Sequence, residues 1–235
     1  MEQFYRIAGL TVKMDTFGRT LRLAEPYLTD GNAADLTICP NTPAVAAKNP
    51  GMGKSHVEYL ATGASFYEQL PKFGGMLLHS SAVVVDGQAY LFTAPRKMGK
   101  STHVQYWLRE FEGRAHILND DKPALRYIDG IWYACGTPWS GKSGLNTNEM
   151  VPVKAIAVLG RDTYTHIAPY TGPEVTKFLI EQTVIPSDPM GWIKLLEMLD
   201  SLLKQAPVWK LYCNMEQSAA RIAYEAMSAD KEHSV

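Results

Sequence analysis

Cysteine is scarce in this chain, no apolar run is long, and neither sign of charge dominates. The three cysteines (Cys39, Cys135 and Cys213) are odd in number and far apart, with no C-x-x-C pair. That argues against a disulfide framework and a structural zinc site, and it points to a reducing compartment. The 23 basic and 24 acidic residues leave a formal charge of −1. A nucleic-acid or membrane-surface partner needs a concentrated basic field, so neither is expected. No apolar run approaches the roughly 18–20 residues that a bilayer span requires. The opening MEQFYRIAGL lacks the basic-then-apolar layout of a signal peptide. These absences together predict a cytoplasmic protein. What is present is 235 residues, 46% of them hydrophobic, enough to bury a sizeable core, with no repeat or low-complexity tract.

The first forty residues alternate short apolar runs (5–12, 20–23 and 36–39) with Gly, Asp and Asn, which reads as strands and turns. Residues 40–53, PNTPAVAAKNPGMG, read as an exposed connector, and 54–70 has apolar residues at helical spacing. The central block carries the α/β signal. Apolar runs at 81–85 and 88–93 flank Asp86-Gly87, and runs at 124–128 and 131–135 flank Asp129-Gly130, two hairpin cues. Between them, Val104, Trp107, Leu108 and Phe111 recur at i, i+3, i+4 and i+7, predicting a helix over about 99–111. Runs at 76–78, 116–118 and 153–159 predict further strands. The last third predicts proline-led helices at 173–182 and 189–204, a strand at 208–213, and a final helix to Met227 opened by an Asn214/Gln217 capping box.

Gly-Lys-Ser occurs three times, at 53–55, 99–101 and 141–143. Only the third completes G-x4-G-K-[ST], from Gly136 to Ser143. A phosphate cradle, however, needs a strand that delivers a loop into a helix N-terminus, where unpaired N–H groups face the anion. After Ser143 there is almost no apolar periodicity, and Pro138 and Trp139 crowd the loop. The first copy follows the connector rather than a strand. The middle copy, A-x4-G-K-S-T with Ala94 in place of the first glycine, has a strand before it and an amphipathic helix after it. There Lys100 would reach the β/γ-phosphates and the Ser101 hydroxyl would ligate Mg²⁺. Asp120-Asp121, at the end of the next apolar strand, is the second candidate element, able to hold a metal or accept a hydroxyl proton. Adjacent residues in extended chain point to opposite sides, so the two cannot face one site equally.

The stretch LLHSSAVVVDGQAYLFTAPRKMGKSTHVQYWL, followed by ILNDDKPALR, GTPWSGK and LNTN, resembles the HPr kinase-related proteins of Gram-positive bacteria. The resemblance covers residues 54–227 and is weaker at VPVKAIAVL and CNMEQSAARIAYEAM. It implies an α/β fold with the P-loop core of the HPr kinase and phosphoenolpyruvate carboxykinase type, a mixed sheet with β-hairpins and flanking helices. It divides the chain into an N-terminal, mostly β segment and connector at 1–53 and an HPr kinase-like P-loop domain at 54–235. The implied activity is ATP-dependent transfer of a γ-phosphoryl group to a serine hydroxyl on a small protein or peptide, with ATP and Mg²⁺ bound.

By the same resemblance Ala94, Pro95, Arg96, Lys97, Met98, Gly99, Lys100, Ser101 and Thr102 would cradle the nucleotide. Ser101, Asp120 and Asp121 would hold the metal, and Asp120 or Asp121 would be the general base. His79 matches a family histidine near the transferred group, and Lys142 would steady a phosphate or a substrate acid. A homo-oligomer also fits the resemblance. Two departures stand out. Relatives carry small residues where this chain has Arg96, Lys97 and Met98, and a Glu-containing signature where it has the loop Gly136–Lys142, with Cys135 and Gly136 at the place of a second metal-binding carboxylate. They keep two alternatives open: a non-catalytic kinase-fold module that binds a peptide or protein, and a small-molecule kinase.

Overall fold

The computed structural model describes residues 3–95, 98–186, 188–214 and 216–229. Arg96 and Lys97, two of the cradle positions expected from sequence, lie outside the described residues. The elements run β1 (Gln3–Ile7), β2 (Leu10–Met14), α1 (Gly18–Ala24), β3 (Leu28–Thr29), β4 (Leu36–Thr37), α2 (Thr42–Lys48) and α3 (Lys54–Gln69). There follow β5 (Gly75–Leu77), β6 (Ser81–Val85), β7 (Gln88–Thr93), α4 (Lys100–Glu110), β8 (Ala115–Asn119), β9 (Ala124–Ile128), β10 (Ile131–Cys135) and β11 (Met150–Arg161). The last are β12 (His166–Pro169), α5 (Pro173–Glu181), α6 (Pro189–Gln205), β13 (Val208–Cys213) and α7 (Ser218–Ser228).

The protein is mixed α/β. A four-stranded sheet in the order β3-β1-β2-β4 precedes a nine-stranded mixed sheet whose main path is β5-β9-β10-β11-β7-β6-β8. Strand β13 pairs with β11 in parallel and with β12 antiparallel. The hairpins form where Asp-Gly stands. Asp86 and Asp129 take φ of 50° and 49°, followed by Gly87 and Gly130 at 74° and 84°. Positive φ at both central residues is the turn whose twist matches the flanking strands.

Alternation sorts the large sheet's side chains into two cores. Val83, Val85, Tyr90, Phe92, Ala155 and Ala157 pack with Trp107 of α4 and Ala223 and Met227 of α7. Their strand neighbours Ala82, Val84, Leu91, Ile156 and Val158 pack with Leu179 of α5 and Leu195 and Leu199 of α6. Both faces are covered by helices, which is why β6, β7 and β11 read as nearly unbroken apolar runs. A third core joins Tyr5, Ile7, Val12 and Leu36 of the small sheet to Tyr59 and Phe66 of α3 and to Trp139.

Four expectations from the sequence change. Residues 20–23 lie in helix α1 rather than a strand. The apolar run 5–12 breaks at Ala8-Gly9, with φ of 50° and 76°, into the β1–β2 hairpin. The 40–53 connector contains α2, whose start is capped by Asn41 accepting from the Ala44 N–H at 3.1 Å. The Asn214/Gln217 capping box does not form. Gln217 makes no side-chain cap, and the Asn214 side chain accepts instead from the Thr165 hydroxyl at 3.0 Å. Strand β12 had no signal in the sequence beyond its short apolar centre.

Candidate functional site

Strand β6 runs antiparallel to both β7 and β8, so those two strands end at the same edge of the sheet. Ser81 pairs with Phe92 and Ala82 with Asn119, which brings the start of β6 between the two C-terminal ends. Three candidate elements therefore meet there: His79 before β6, Ala94 after β7, and Asp120-Asp121 after β8.

The loop leads from strand into helix. Ala94 is fully buried at its start, where a small side chain suits the space. Gly99 has φ of 94° and ψ of 22°, a left-handed conformation that glycine adopts without strain. It is the N-cap of α4 and offers no side chain to the first-turn N–H groups, and no acidic residue lies in that turn. Those amides and the positive end of the helix dipole suit an anion. The Lys100 ammonium donates to the Ala94 carbonyl at 3.3 Å, back towards the end of β7. Beneath it, Trp107 Nε1 donates to His103 Nε2 at 3.0 Å, and the His103 ring stands edge-on to Phe92. Burial pushes His103 down to about 4, so it stays neutral and ties α4 to β7 as an apolar strut.

The acidic pair is built by Asn119. This buried residue donates to the Thr137 carbonyl at 3.0 Å, and its Oδ1 accepts from the Asp121 and Lys122 N–H groups at 3.0 and 2.8 Å. That turn sends the two carboxylates apart. Asp120 accepts from the buried Ser81 hydroxyl at 2.8 Å. It lines a cleft of about 430 Å³ together with Ser101 and Thr102 of α4 and with Ser143. Asp121 instead lies 3.1 Å from His79 Nε2 and pairs with the Lys122 ammonium. Burial alone would raise its pKa, but the His79 hydrogen bond and Lys122 outweigh it and lower the carboxyl to about 2.

His79 is held from the far side by Gln182, the residue that follows α5. Its N–H donates to the Gln182 carbonyl at 2.7 Å, and Nδ1 lies 3.3 Å from Gln182 Oε1. Its own carbonyl accepts from the Thr93 hydroxyl at 2.9 Å, at the mouth of the loop. Both ring neighbours are acceptors, so a singly protonated imidazole satisfies one of them and a doubly protonated one both.

The other two Gly-Lys-Ser copies do structural work. No helix follows 136–143. There Thr137, Trp139 and Ser140 are fully buried, and Trp139 stacks on Phe66 at 4.9 Å. Gly141 donates its N–H to the Tyr59 hydroxyl at 2.9 Å, and its carbonyl accepts from Arg19. Lys142 is exposed on that turn. The first copy opens α3 but follows a turn after α2, and its Ser55 hydroxyl accepts from the Arg19 N–H at 2.9 Å.

Ser81, Asn119 and Gln182 shape the site without belonging to any of the sequence motifs, and Gly141 shapes it from within the third Gly-Lys-Ser. Asn119 carried a signal, since Asn before two acids at a strand end suits a side-chain-closed turn. Gln182 carries none, because its partner His79 is distant in the chain.

No protein-family model matches the chain, and no curated protein does. Among solved structures it is similar to the HPr(Ser) kinase/phosphatase from Coxiella burnetii, with 14% identity and a TM-score of 0.36. The match covers 65% of this chain and 99% of that one. The likeness is distant, and nothing about this chain's chemistry follows from it.

Proposed function

We propose that this chain is a Mg-ATP-dependent kinase acting on a serine hydroxyl of a protein or peptide. The observation that carries the reading is that Ser101, on the first turn of α4, and Asp120, after β8, line one cleft. The donor phosphates lie on the first-turn amides of α4, where Lys100 turns from the Ala94 carbonyl to the phosphate oxygens. The residues present fit Mg²⁺, a hard cation that takes oxygen ligands and keeps much of its shell as water and phosphate. Ser101 and Asp120 would hold it, and it would neutralise charge on the phosphates.

Asp120 is the one carboxylate among the described residues lining this cleft. The serine oxygen attacks the γ-phosphorus and its proton passes to Asp120. The bond from that phosphorus to the bridging oxygen breaks, and ADP leaves with the electron pair. Catalysis is mainly positioning and charge neutralisation. Asp121, hydrogen-bonded to His79, paired with Lys122 and held ionised, is a positioning residue that fixes His79 and the turn.

A second reading, nucleotide binding without transfer, draws on Lys100 being turned onto its own loop carbonyl. One pair of measurements separates them. Calorimetry with ATP and Mg²⁺ reads binding, and transfer of labelled γ-phosphate to a serine-peptide library reads turnover. For the kinase, Lys100→Ala lowers transfer by about 10²-fold or more with an unchanged melting curve. Full transfer in that variant would sink the assignment, and binding without transfer in the wild type would select the second reading.

A further inference from the structure

The cleft does not stop at the loop. It continues along α4 past Gln105 and Tyr106 to Arg109, with Leu145 on the facing turn. Ser101, Gln105 and Arg109 stand at i, i+4 and i+8, one stripe of the helix. At 1.5 Å per residue, Ser101 and Arg109 are about 12 Å apart along the axis. One end of the groove thus carries the Asp120 carboxylate and the other a guanidinium. Arg109 is exposed and makes no ion pair among the described residues. Between the two ends, Tyr106 is half-buried and Leu145 is 44% exposed, giving the groove an apolar flank.

We propose that this groove binds the phosphoacceptor as an extended peptide, with its serine at Asp120 and a carboxylate of the same peptide on Arg109. The inference rests on the kinase reading and adds to it a sequence requirement. An extended chain advances about 3.3 Å per residue, so a peptide laid along the stripe from Ser101, with its serine at that end, to Arg109 has its acid three or four residues from the serine. A free hydroxy acid is too short to reach both ends. The planar guanidinium favours a carboxylate that can accept two parallel hydrogen bonds. Opposite charge at the two ends also disfavours a peptide whose acid lies next to its serine, since that acid would face Asp120.

The test uses the whole chain and fluorescent Gly/Ala peptides carrying one serine and one glutamate, placed one to six positions away on either side. Each has a glutamine counterpart and a lysine counterpart. Fluorescence anisotropy reads affinity, and labelled ATP reads transfer. Glutamate three or four positions from serine should improve affinity at least ten-fold over glutamine. Arg109→Gln should remove that preference, and Arg109→Glu should transfer it to the lysine peptides. Equal affinity for glutamate and glutamine peptides at every spacing overturns the proposal, as does a preference that survives Arg109→Glu. A preference of the expected spacing with no phosphate transfer to any peptide supports the groove and counts against the kinase reading alone.

Discussion

A methyl group on Gly141 would stand 2.6 Å from Asp121 Cβ and 2.8 Å from its Cγ. The best-spelled Gly-Lys-Ser is therefore the wall against which the Asp121–His79 pair rests. Its φ of +67° adds a second reason for glycine. Gly141→Ala should lose about 1–2 kcal/mol to left-handed backbone strain, and more to the displaced carboxylate. Gly87→Ala calibrates the first contribution, because Gly87 has φ of +74° and nothing within 4 Å of a built Cβ. Urea unfolding of the two variants should show Gly141→Ala as clearly the more destabilised. Equal losses would mean that Asp121 is not crowded.

The pairing of Asp121 with His79 and Lys122 also sets a pH dependence. Its carboxyl falls from an ordinary 3.8 to about 2 in the folded protein. A depressed carboxyl stabilises the fold above its unfolded value, and that stability drains as pH falls through the folded value. The window is therefore pH 4 down to 2, and the amount is about 2 kcal/mol at roughly 1.4 kcal/mol per unit. Asp121→Asn should flatten unfolding free energy across that window. The measurement is urea unfolding near pH 5 and pH 2.5, and a slope unchanged from wild type contradicts it.

Glu58 has the opposite sign. It is buried at 3% exposure in α3, and its Oε2 accepts from the Thr20 hydroxyl while Oε1 has no partner among the described residues. Burial raises its carboxyl pKa above the ordinary 4.5, against the Thr20 and Phe17 hydrogen bonds. Below that value the folded and unfolded states are both protonated. As pH rises past it the unfolded chain ionises first, and the fold loses stability until the folded carboxyl also ionises. Glu58→Gln keeps an acceptor for Thr20 and carries no charge. Its melting temperature should therefore gain on wild type as pH rises above the ordinary 4.5, and a gap that does not widen is the contrary result.

The frame of this fold was legible because it is local. Short apolar runs and Asp-Gly turns mark β6–β7 and β9–β10 over 81–93 and 124–135, and a 3.6-residue period marks α4. The strand before and the helix after Gly99-Lys100-Ser101 are likewise neighbours in the chain. What stayed hidden depends on distant partners. His79 meets Gln182 across 103 positions, and Arg19 reaches Gly141 across 122. The division of labour between Asp120 and Asp121 was visible only as a rule that neighbours diverge. Which one faces Ser101 is decided by Ser81 and Asn119, which themselves lie on different strands. Helix α1 was missed for a simpler reason: seven residues are too few to show a period.

Ser81 gives the sharpest separation of site from scaffold. Its buried hydroxyl donates to Asp120 Oδ1 at 2.8 Å and lies 3.2 Å from the Asp120 carbonyl. Ser81→Ala removes one donor and leaves a largely buried carboxylate oxygen short of a partner, which costs about 1–3 kcal/mol. A merely structural role would lower the unfolding midpoint and leave the turnover of the remaining folded protein alone. If the hydroxyl aims Asp120 at the cleft, turnover should fall about ten-fold at saturating ATP, and the Mg²⁺ concentration for half-maximal rate should rise. Ser81→Thr, which restores a hydroxyl, should recover most of the rate. Transfer measured across a Mg²⁺ series, beside a urea melt of each variant, decides between the two. An unaltered Mg²⁺ requirement in Ser81→Ala would leave Ser81 as packing and place the orientation of Asp120 with Asn119 alone.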